Sequence, residues 1–494
     1  MTASDSSAQA RPAADPNLIY VNGIDMETGN YAVAPRSIDD IAKDVFKRPG
    51  LETFTDARPD HERAFAVPFG VDLEKPEEAG WGIIFHEDTP QDVRKALERL
   101  IEHRRKQIPD AALVRALDYK KGEQTRDWYQ RNRISPGSVD PEKMPFYLLV
   151  VGGPDLIPFE FQYLLGIDYG VGRLAFDTAD EYDRYARSII AYEGSAAAPN
   201  ARQITYWGPS HPGDPATNLS ASLLIDPLAN GIPGATGMLK RPIHLDVGFA
   251  CTVSAAAAAT KGNLLDMLHG KKPPAMLFTA SHGMQLRSGH AAQASTQGAL
   301  LCQDWSGVGS VKAAHVLAAG DVTDDANVNG LVALIFACFG AGTPDADQFL
   351  MNLSDAGSAP PLAPKPFMAA LPRRLLTHPN GSALAVIGHI DRAWGFSIQA
   401  PKVAEPQILP FRNSLGFIMN GSPVGYAVSS QFGARFSTLS ALLLNATSPT
   451  APPATRLSDR DLVTAWIQRN DSQNYVLLGD PAARIRKDAL AAPS

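Results

Sequence analysis

Two segments of the sequence place a reactive side chain directly after a run of apolar residues. Residues 275–280 lead into His282, and residues 331–336 lead into Cys338, which lies 56 residues after that histidine. Continuous apolar runs of this length are typical of strands that are buried on both faces of a parallel sheet. Because ligands bind beyond the carboxyl ends of such strands, we expect both side chains at one sheet edge if the strands are neighbours.

A cysteine and a histidine at one sheet edge are suited to acyl transfer. The thiolate is the form of cysteine that attacks a carbonyl, and a nearby imidazole supplies the base or a stabilising cation. Gly283 lets the backbone come close to a substrate, and the N–H groups of Gly283 and Cys338 could stabilise an oxyanion. Each motif also has an ordinary structural interpretation, because Cys338 could be a small buried residue and His282 could begin a loop. Their joint occurrence favours catalysis in a crevice that solvent can reach.

Other titratable residues are weaker candidates. Glu160 could orient His282, and its alternative is a solvated loop carboxylate. His86 and His389 also follow apolar runs, but no cysteine or serine lies at a matching position, so we assign both a structural role. The sequence contains no G-x-S-x-G, no phosphate loop, no H-E-x-x-H and no C-x-x-C. We therefore assign no cofactor and no metal-ligating residue.

The apolar runs also predict the elements that must position this site. They alternate with segments of helical spacing such as residues 90–107. We expect strands at residues 81–85, 146–151, 203–207, 275–280, 333–337, 383–387 and 475–478. Between the histidine and the cysteine, we expect a hairpin with Cys302 on a strand. This alternation predicts an α/β fold with a mostly parallel sheet covered by helices.

The composition limits the classes of partner. The chain has 494 residues, 45% of them hydrophobic, and a net charge of −7. The mild acidity gives no electrostatic reason to expect nucleic-acid binding, and no apolar run reaches the ~18 residues of a membrane helix. Three cysteines exclude a disulfide scaffold, and the first residues lack the apolar segment of a secretory signal. We expect a cytoplasmic protein with no nucleic-acid or membrane partner; a protein or peptide substrate is implied only by the resemblance described next, and a protein activator is left open.

The order His-Gly followed by Ala-Cys resembles the caspase-like clan of cysteine peptidases, whose histidine lies about 50 residues upstream of the cysteine. Phe336 stands where caspases carry Gln, so the resemblance is to the wider clan. Residues 146–487 resemble the gingipain family within it. The matching segments are YLLVVGG at 147–153, GID at 166–168, VGRL at 171–174, AVI at 385–387, LGFIMNG at 415–421 and LGDP at 478–481.

The resemblance implies a cysteine endopeptidase with a caspase-like three-layer α/β/α sandwich of two lobes. Cys338 would be the nucleophile and His282 its partner. Asp168 matches the acid at the floor of the family's specificity pocket, and Trp394 matches the pocket wall. A buried carboxylate beside an aromatic face suits a cationic side chain, so we expect cleavage after Arg or Lys. Asp168 could instead be a turn residue, and Trp394 could serve core packing.

The resemblance also divides the chain. We expect residues 1–17 to be disordered, residues 18–195 to form an N-terminal lobe without the dyad, and residues 196–490 to form the catalytic subdomain. The family's signal and pro-segments have no visible counterpart. Pro-rich residues 355–366 are interpreted as a plain insertion, with a self-cleavage or regulatory loop as the alternative.

Two functions follow from these observations. The first is a regulated protease in bacterial defence or cell death. The second is a caspase-like scaffold or binding module with an idle dyad.

Overall fold

The computed structural model describes residues 15, 18–46, 68, 70–347, 361–399, 406–448 and 457–492. Apart from Asp15, the terminus that is predicted to be disordered lies outside the described residues, and so do residues 355–360 of the Pro-rich loop.

The strands in chain order are β1 Leu18–Ile19, β2 Gly23–Asp25, β3 Arg36–Ser37, β4 Trp81–His86, β5 Val114–Tyr119, β6 Tyr147–Val151, β7 Gly170–Leu174, β8 Ala201–Gly208, β9 Ala250–Ala255, β10 Pro274–Ala280, β11 Gly283–Gln285, β12 Leu300–Leu301, β13 Val316–Leu317, β14 Val332–Phe336, β15 Gly342–Thr343, β16 Phe367–Met368, β17 Ala385–His389 and β18 Tyr475–Gly479.

The helices are α1 Ile38–Phe46, α2 Pro76–Ala79, α3 Gln91–Gln107, α4 Thr125–Arg131, α5 Phe159–Leu165, α6 Ala179–Gly194, α7 Pro215–Ser220, α8 Asp226–Asn230, α9 Ile243–Asp246, α10 Lys261–Leu268, α11 Gln293–Thr296, α12 Ala370–Leu376, α13 Leu409–Asn420, α14 Val424–Val428, α15 Ala434–Thr447 and α16 Asp459–Asn474.

One large sheet organises the described chain. Its ten strands lie in the order β5-β4-β6-β7-β18-β17-β14-β10-β8-β9. Neighbouring strands of this sheet are parallel except at the β17–β18 pair, which is antiparallel. Two parallel halves therefore run in opposite directions. As a consequence, the start of β7 and the ends of β17, β14 and β10 all lie at the same edge of the sheet.

A smaller sheet lies next to that edge. Its order is β13-β12-β11-β2, and β11 pairs with β12 in an antiparallel hairpin. Cys302 directly follows β12, close to its predicted place on a strand of this hairpin. The N-terminal strand β2 adds to the outer side of β11 in the parallel direction. The small sheet therefore brings the first residues of the described chain to the edge where the predicted dyad lies.

The predicted fold class is confirmed, since the structure has a mostly parallel sheet with intervening helices. The apolar runs mark β4, β6, β8, β10, β14, β17 and β18 to within two residues. Strands β5 and β9 lie at the two sheet edges and are half exposed, so neither has a continuous apolar run. In β7, the run is interrupted by the buried Arg173, whose guanidinium donates to the carbonyls of Gly152 and Ile157.

The predicted boundary near residue 195 falls between α6 and β8, the first strand of the second half of the sheet. Strand β18 returns to the first half, beside β7. Apolar side chains from both halves share one buried cluster. The division into two lobes stays a prediction.

Candidate active site

Strands β10 and β14 position the two predicted catalytic residues. They are parallel neighbours in register, with Ala280 paired to Phe336 at their carboxyl ends. His282 and Cys338 therefore each lie two residues beyond one end of this pair. An ideal Cβ on Gly283 would lie 1.8 Å from the Cys338 carbonyl oxygen, so the two backbones touch and residue 283 must be glycine. The expectation of neighbouring strands is met.

His282 is held by a buried carboxylate. Its Nε2 lies 2.6 Å from Oδ2 of Asp214, and both side chains are fully buried. The same carboxylate accepts from the Thr217 hydroxyl at 3.0 Å and from the Tyr31 hydroxyl. The other ring nitrogen of His282, Nδ1, is buried without a hydrogen-bond partner among the described residues. Asp214 thus fixes the ring, and Nδ1 is the nitrogen left for chemistry.

The carboxylate that contacts His282 is Asp214, whereas sequence reasoning names Glu160 for the orienting role. Glu160 is exposed in the first turn of α5, and its charge acts on Tyr119 of the edge strand β5. Asp214 is the residue before α7, in the loop that follows β8. Strand β8 is the parallel neighbour of β10, so its loop reaches the same edge as His282. The sequence signal was therefore a carboxylate after a neighbouring strand, in the segment HPGDP.

Cys338 lies in a strained turn. Its Sγ accepts a hydrogen bond from the Ala393 N–H at 3.3 Å. The next residue, Phe339, has φ of 58°, a left-handed conformation that a bulky side chain rarely adopts. The Phe339 N–H donates to the Asp391 carbonyl at 2.8 Å, which holds this turn in place. Backbone strain of this kind concentrates at functional sites, where it fixes the direction of a side chain.

The N–H groups of Gly283 and Cys338 converge on a single oxygen. Both donate to the backbone carbonyl of Asn22, at 3.0 Å and 3.2 Å. Two N–H groups aimed at one carbonyl oxygen form the arrangement that stabilises an oxyanion in acyl transfer. The sequence names these two donors, but it does not predict that a residue of the N-terminal segment supplies the acceptor.

The expectation of a solvent-accessible crevice is wrong for this state of the protein. The side chains of His282 and Cys338 are both fully buried. The N-terminal segment lies across them: the Asn22 carbonyl accepts from the Gly283 and Cys338 N–H groups, and the Tyr31 ring lies 5.6 Å from the His282 ring, edge to face. Burial raises the pKa of the Cys338 thiol well above its usual range, although the charge of Arg392 acts in the opposite direction.

The two residues assigned to a specificity pocket lie at the same edge. Trp394 is buried, follows the Ala393 that contacts Cys338, and donates its backbone N–H to Asp471 at 3.0 Å. Asp168 is partly buried and precedes β7, where its Oδ2 accepts from the Gly137 N–H at 2.8 Å. The structure therefore brings Trp394 against the Cys338 loop, whereas it ties Asp168 to the loop at residue 137.

No site among the described residues gathers three or more His, Cys, Asp or Glu side chains that could hold a metal ion. Within the same residues, no helix is both long enough and apolar enough to cross a bilayer.

Comparisons with known proteins give only distant likenesses. No family model matches the chain, and no curated protein matches it. A solved structure described as a protease has a TM-score of 0.46 at 10% identity, over 82% of this chain and 78% of that chain. The complex of the pro- and mature domains of Porphyromonas gingivalis RgpB has a TM-score of 0.39 at 11% identity, over 83% and 80%. The Saccharomyces cerevisiae separase–securin complex has a TM-score of 0.30 at 12% identity, over 68% of this chain and 15% of that chain. We base the assignment of function on the contacts around Cys338 and His282.

Proposed function

We propose that this protein is a cysteine endopeptidase in which Cys338 is the nucleophile and His282 its acid–base partner. The observation that carries the proposal is the pair of N–H groups, from Gly283 and Cys338, that meet on one peptide carbonyl oxygen. A peptide carbonyl held there has its oxygen polarised next to the only thiol of the site. The Asp214 carboxylate supports the proposal, since it gives the histidine an orienting partner.

The reaction follows from this arrangement. The Cys338 thiolate attacks the carbonyl carbon of the scissile bond while the two N–H groups receive the negative charge on its oxygen. His282 donates a proton to the leaving amine, and the C–N bond breaks to leave a thioester. Water, activated by the same imidazole, then hydrolyses the thioester and restores the thiol. Asp214 holds the ring throughout and touches no reacting atom.

A preference for Arg or Lys before the scissile bond belongs to the same proposal. Asp168 would supply the charge for a basic side chain, and Trp394 would supply an aromatic wall for its apolar stem. The location of both residues at the catalytic edge supports this assignment. The biological role in bacterial defence or cell death and the cytoplasmic location stay predictions.

A specific observation favours the second candidate, a scaffold with an idle dyad: the dyad is completely buried. Turnover of fluorogenic peptides separates the two functions, with Arg, Lys, Asn, Leu or Asp before the reporter. We expect hydrolysis of the Arg and Lys peptides, and Cys338→Ala should lower kcat/KM by about 10⁴-fold or more. Equal inertness of the wild type and of Cys338→Ala, both before and after the covering segment is displaced, would establish the scaffold. Hydrolysis of Leu or Asp peptides alone would remove the role of Asp168 and leave the dyad intact.

A further inference from the structure

Residues 21–25, the cleft segment, run through the candidate active site in the manner of a bound peptide. Before the Asn22 carbonyl, the chain lies antiparallel to the loop after β17: Val21 bridges Trp394, and the Asn22 N–H donates to the Ala393 carbonyl at 3.0 Å. After that carbonyl, Gly23, as the first residue of β2, pairs with β11. Main-chain hydrogen bonds on both sides of one carbonyl are how an enzyme holds an extended peptide substrate.

The bond after Asn22 lies where a reacting bond belongs. The Asn22 carbonyl oxygen receives both oxyanion N–H groups. On the other side of this bond, an ideal Cβ on Gly23 would lie 2.9 Å from the Cys338 Sγ. The sulfur therefore lies against the very residue that would leave as the amine. Only glycine, which has no side chain, allows this approach.

A hairpin holds the cleft segment in place. The Ala32 N–H donates to the Gly23 carbonyl at 3.0 Å, and Ile24 bridges Tyr31. Tyr31 in turn donates its hydroxyl to Asp214, the partner of His282. The segment therefore engages the oxyanion donors, the sulfur and the carboxylate behind the histidine at the same time.

The Asn22 side chain fits its place imperfectly. It is fully buried beside Gly395, and neither Oδ1 nor Nδ2 has a hydrogen-bond partner among the described residues. Burying an amide without hydrogen-bond partners costs free energy, so this side chain weakens the binding of the segment in the cleft. Tethering compensates, because a bond that is held in place by its own chain reacts without the entropic cost of bimolecular encounter. Weak binding combined with tethering suits a peptide that is cleaved once in its own chain and then dissociates.

We propose that the Asn22–Gly23 peptide bond is the first substrate of this site and is cleaved in cis. Resting on the proposed endopeptidase function, this inference names the bond that the enzyme cuts in its own chain. His282 takes the proton of the Cys338 thiol, the sulfur bonds to the Asn22 carbonyl carbon, the bond to the Gly23 nitrogen breaks, and His282 passes the proton to that nitrogen. Water then hydrolyses the thioester, releases the Asn22 carboxylate and restores the thiol. Before this event, the segment excludes every other peptide from the cleft.

The test is a time course on the purified full chain, followed by intact mass and N-terminal sequencing. We expect the loss of residues 1–22 and a new N-terminus at Gly23. The first-order rate constant should not change over a hundredfold dilution, because the reaction is intramolecular. Hydrolysis of added fluorogenic peptides should begin with a lag and rise about tenfold or more as the cut chain accumulates.

Two variants make the outcome decisive. Cys338→Ala should stay intact. Gly23→Val places a side chain against the sulfur, so it should unseat the segment, abolish the cut and hydrolyse added peptides without a lag. Gly194→Val is the matched control, since a Cβ there meets nothing within 4 Å, and it should behave as the wild type does. Thermal melting establishes that each variant is folded.

The remaining outcomes overturn one proposal or both. If Gly23→Val hydrolyses peptides while the wild type stays intact, the segment is an inhibitor, and self-cleavage is excluded although the endopeptidase stands. If Cys338→Ala is cut at the same place, the cleavage does not come from this site. If no chain cuts itself and no variant hydrolyses any peptide, the endopeptidase proposal fails as well.

Discussion

At the scale of single residues, the site depends on which carboxylate stands behind the histidine. Asp214 lies 2.6 Å from Nε2 of His282 and has a second buried partner in Thr217. A carboxylate in this place fixes the tautomer, so that the opposite nitrogen is available for proton transfer. In the proposed mechanism it acts through the histidine, as a positioning residue.

The prediction at this scale concerns Asp214→Asn. The amide can present an N–H to the ring and so favour the wrong tautomer, which should lower kcat by roughly 10²- to 10⁴-fold while KM changes little. Steady-state kinetics on the peptide that the self-processed chain hydrolyses fastest measures this split.

Glu160→Gln is the matched control for Asp214→Asn, because Glu160 is exposed on α5 and its substitution should leave kcat and KM unchanged. An equal loss of kcat in both variants, or a rise in KM alone for Asp214→Asn, would contradict the positioning role.

The sequence predicts that His282 and Cys338 follow neighbouring strands, whereas it does not predict what surrounds them. His282 and Cys338 follow long apolar strands. A continuous apolar run predicts both that the strand is buried and where it ends. Asp214 carries no local signal beyond a carboxylate before a short helix. The two-residue and three-residue strands β1 and β2 have no periodicity to detect, since they form only against partners far along the chain.

At the scale of elements, the N-terminal hairpin and the two strands that lead to His282 and Cys338 form one unit. Strand β2 extends the small sheet through β11, and β11 begins at Gly283, one of the two residues whose N–H groups meet on the Asn22 carbonyl. The segment that covers the site is therefore bonded to the element that builds it. Withdrawal of β2 would remove Gly23 from the Cys338 sulfur and free the two N–H groups that donate to Asn22.

Thiol reactivity provides a prediction at this scale. Burial raises the pKa of Cys338 and keeps external reagents away from it, so its thiol should react slowly with added alkylating agents in the uncut chain. Displacing the segment returns water to the sulfur and lowers that pKa, which increases the thiolate fraction at neutral pH. Gly23→Val should therefore speed alkylation of Cys338 by iodoacetamide about tenfold or more relative to the wild type that has not yet cut itself. Peptide mass spectrometry of quenched samples measures the rate at each cysteine.

The other two cysteines are internal controls for that experiment. Burial raises the pKa of Cys251 to about 11 and also raises that of Cys302. None of the hydrogen bonds described above joins either cysteine to residues 18–32. Their alkylation rates should be the same in the wild type and in Gly23→Val. A uniform increase at all three positions would indicate global loosening and would contradict local uncovering of Cys338.

At the scale of the whole molecule, the two halves of the sheet meet at β17 and β18, and a buried ion network secures the far end of β18. Arg104 of α3 pairs with Asp480, which follows β18, at 2.7 Å, and with Glu193 of α6 at 2.8 Å. The Trp81 indole donates to the same Asp480 at 2.9 Å. The network joins two helices to a strand that is distant in sequence and fixes the position of β18 in the sheet.

This network makes the stability of the whole fold depend on pH. Burial alone would raise the pKa of Glu193, but the charge of Arg104 and hydrogen bonds from His103, Arg104 and Gln107 outweigh it and lower that pKa far below the usual value. A carboxyl whose pKa is lower in the folded chain stabilises it fully above the unfolded pKa, near 4.5. That stabilisation is lost as the pH falls further through the folded pKa. Glu193→Gln should therefore cost about 2–4 kcal/mol at pH 7, and the gap to the wild type should narrow below about pH 4. Urea unfolding between pH 7 and pH 3 measures the free energy of unfolding of the wild type and of Glu193→Gln at each pH.

Glu98→Gln is the control, because Glu98 lies on the exposed face of α3 and its substitution should not change the free energy of unfolding measurably. If the difference between Glu193→Gln and the wild type stayed constant with pH, the glutamate would act through packing, not through its charge.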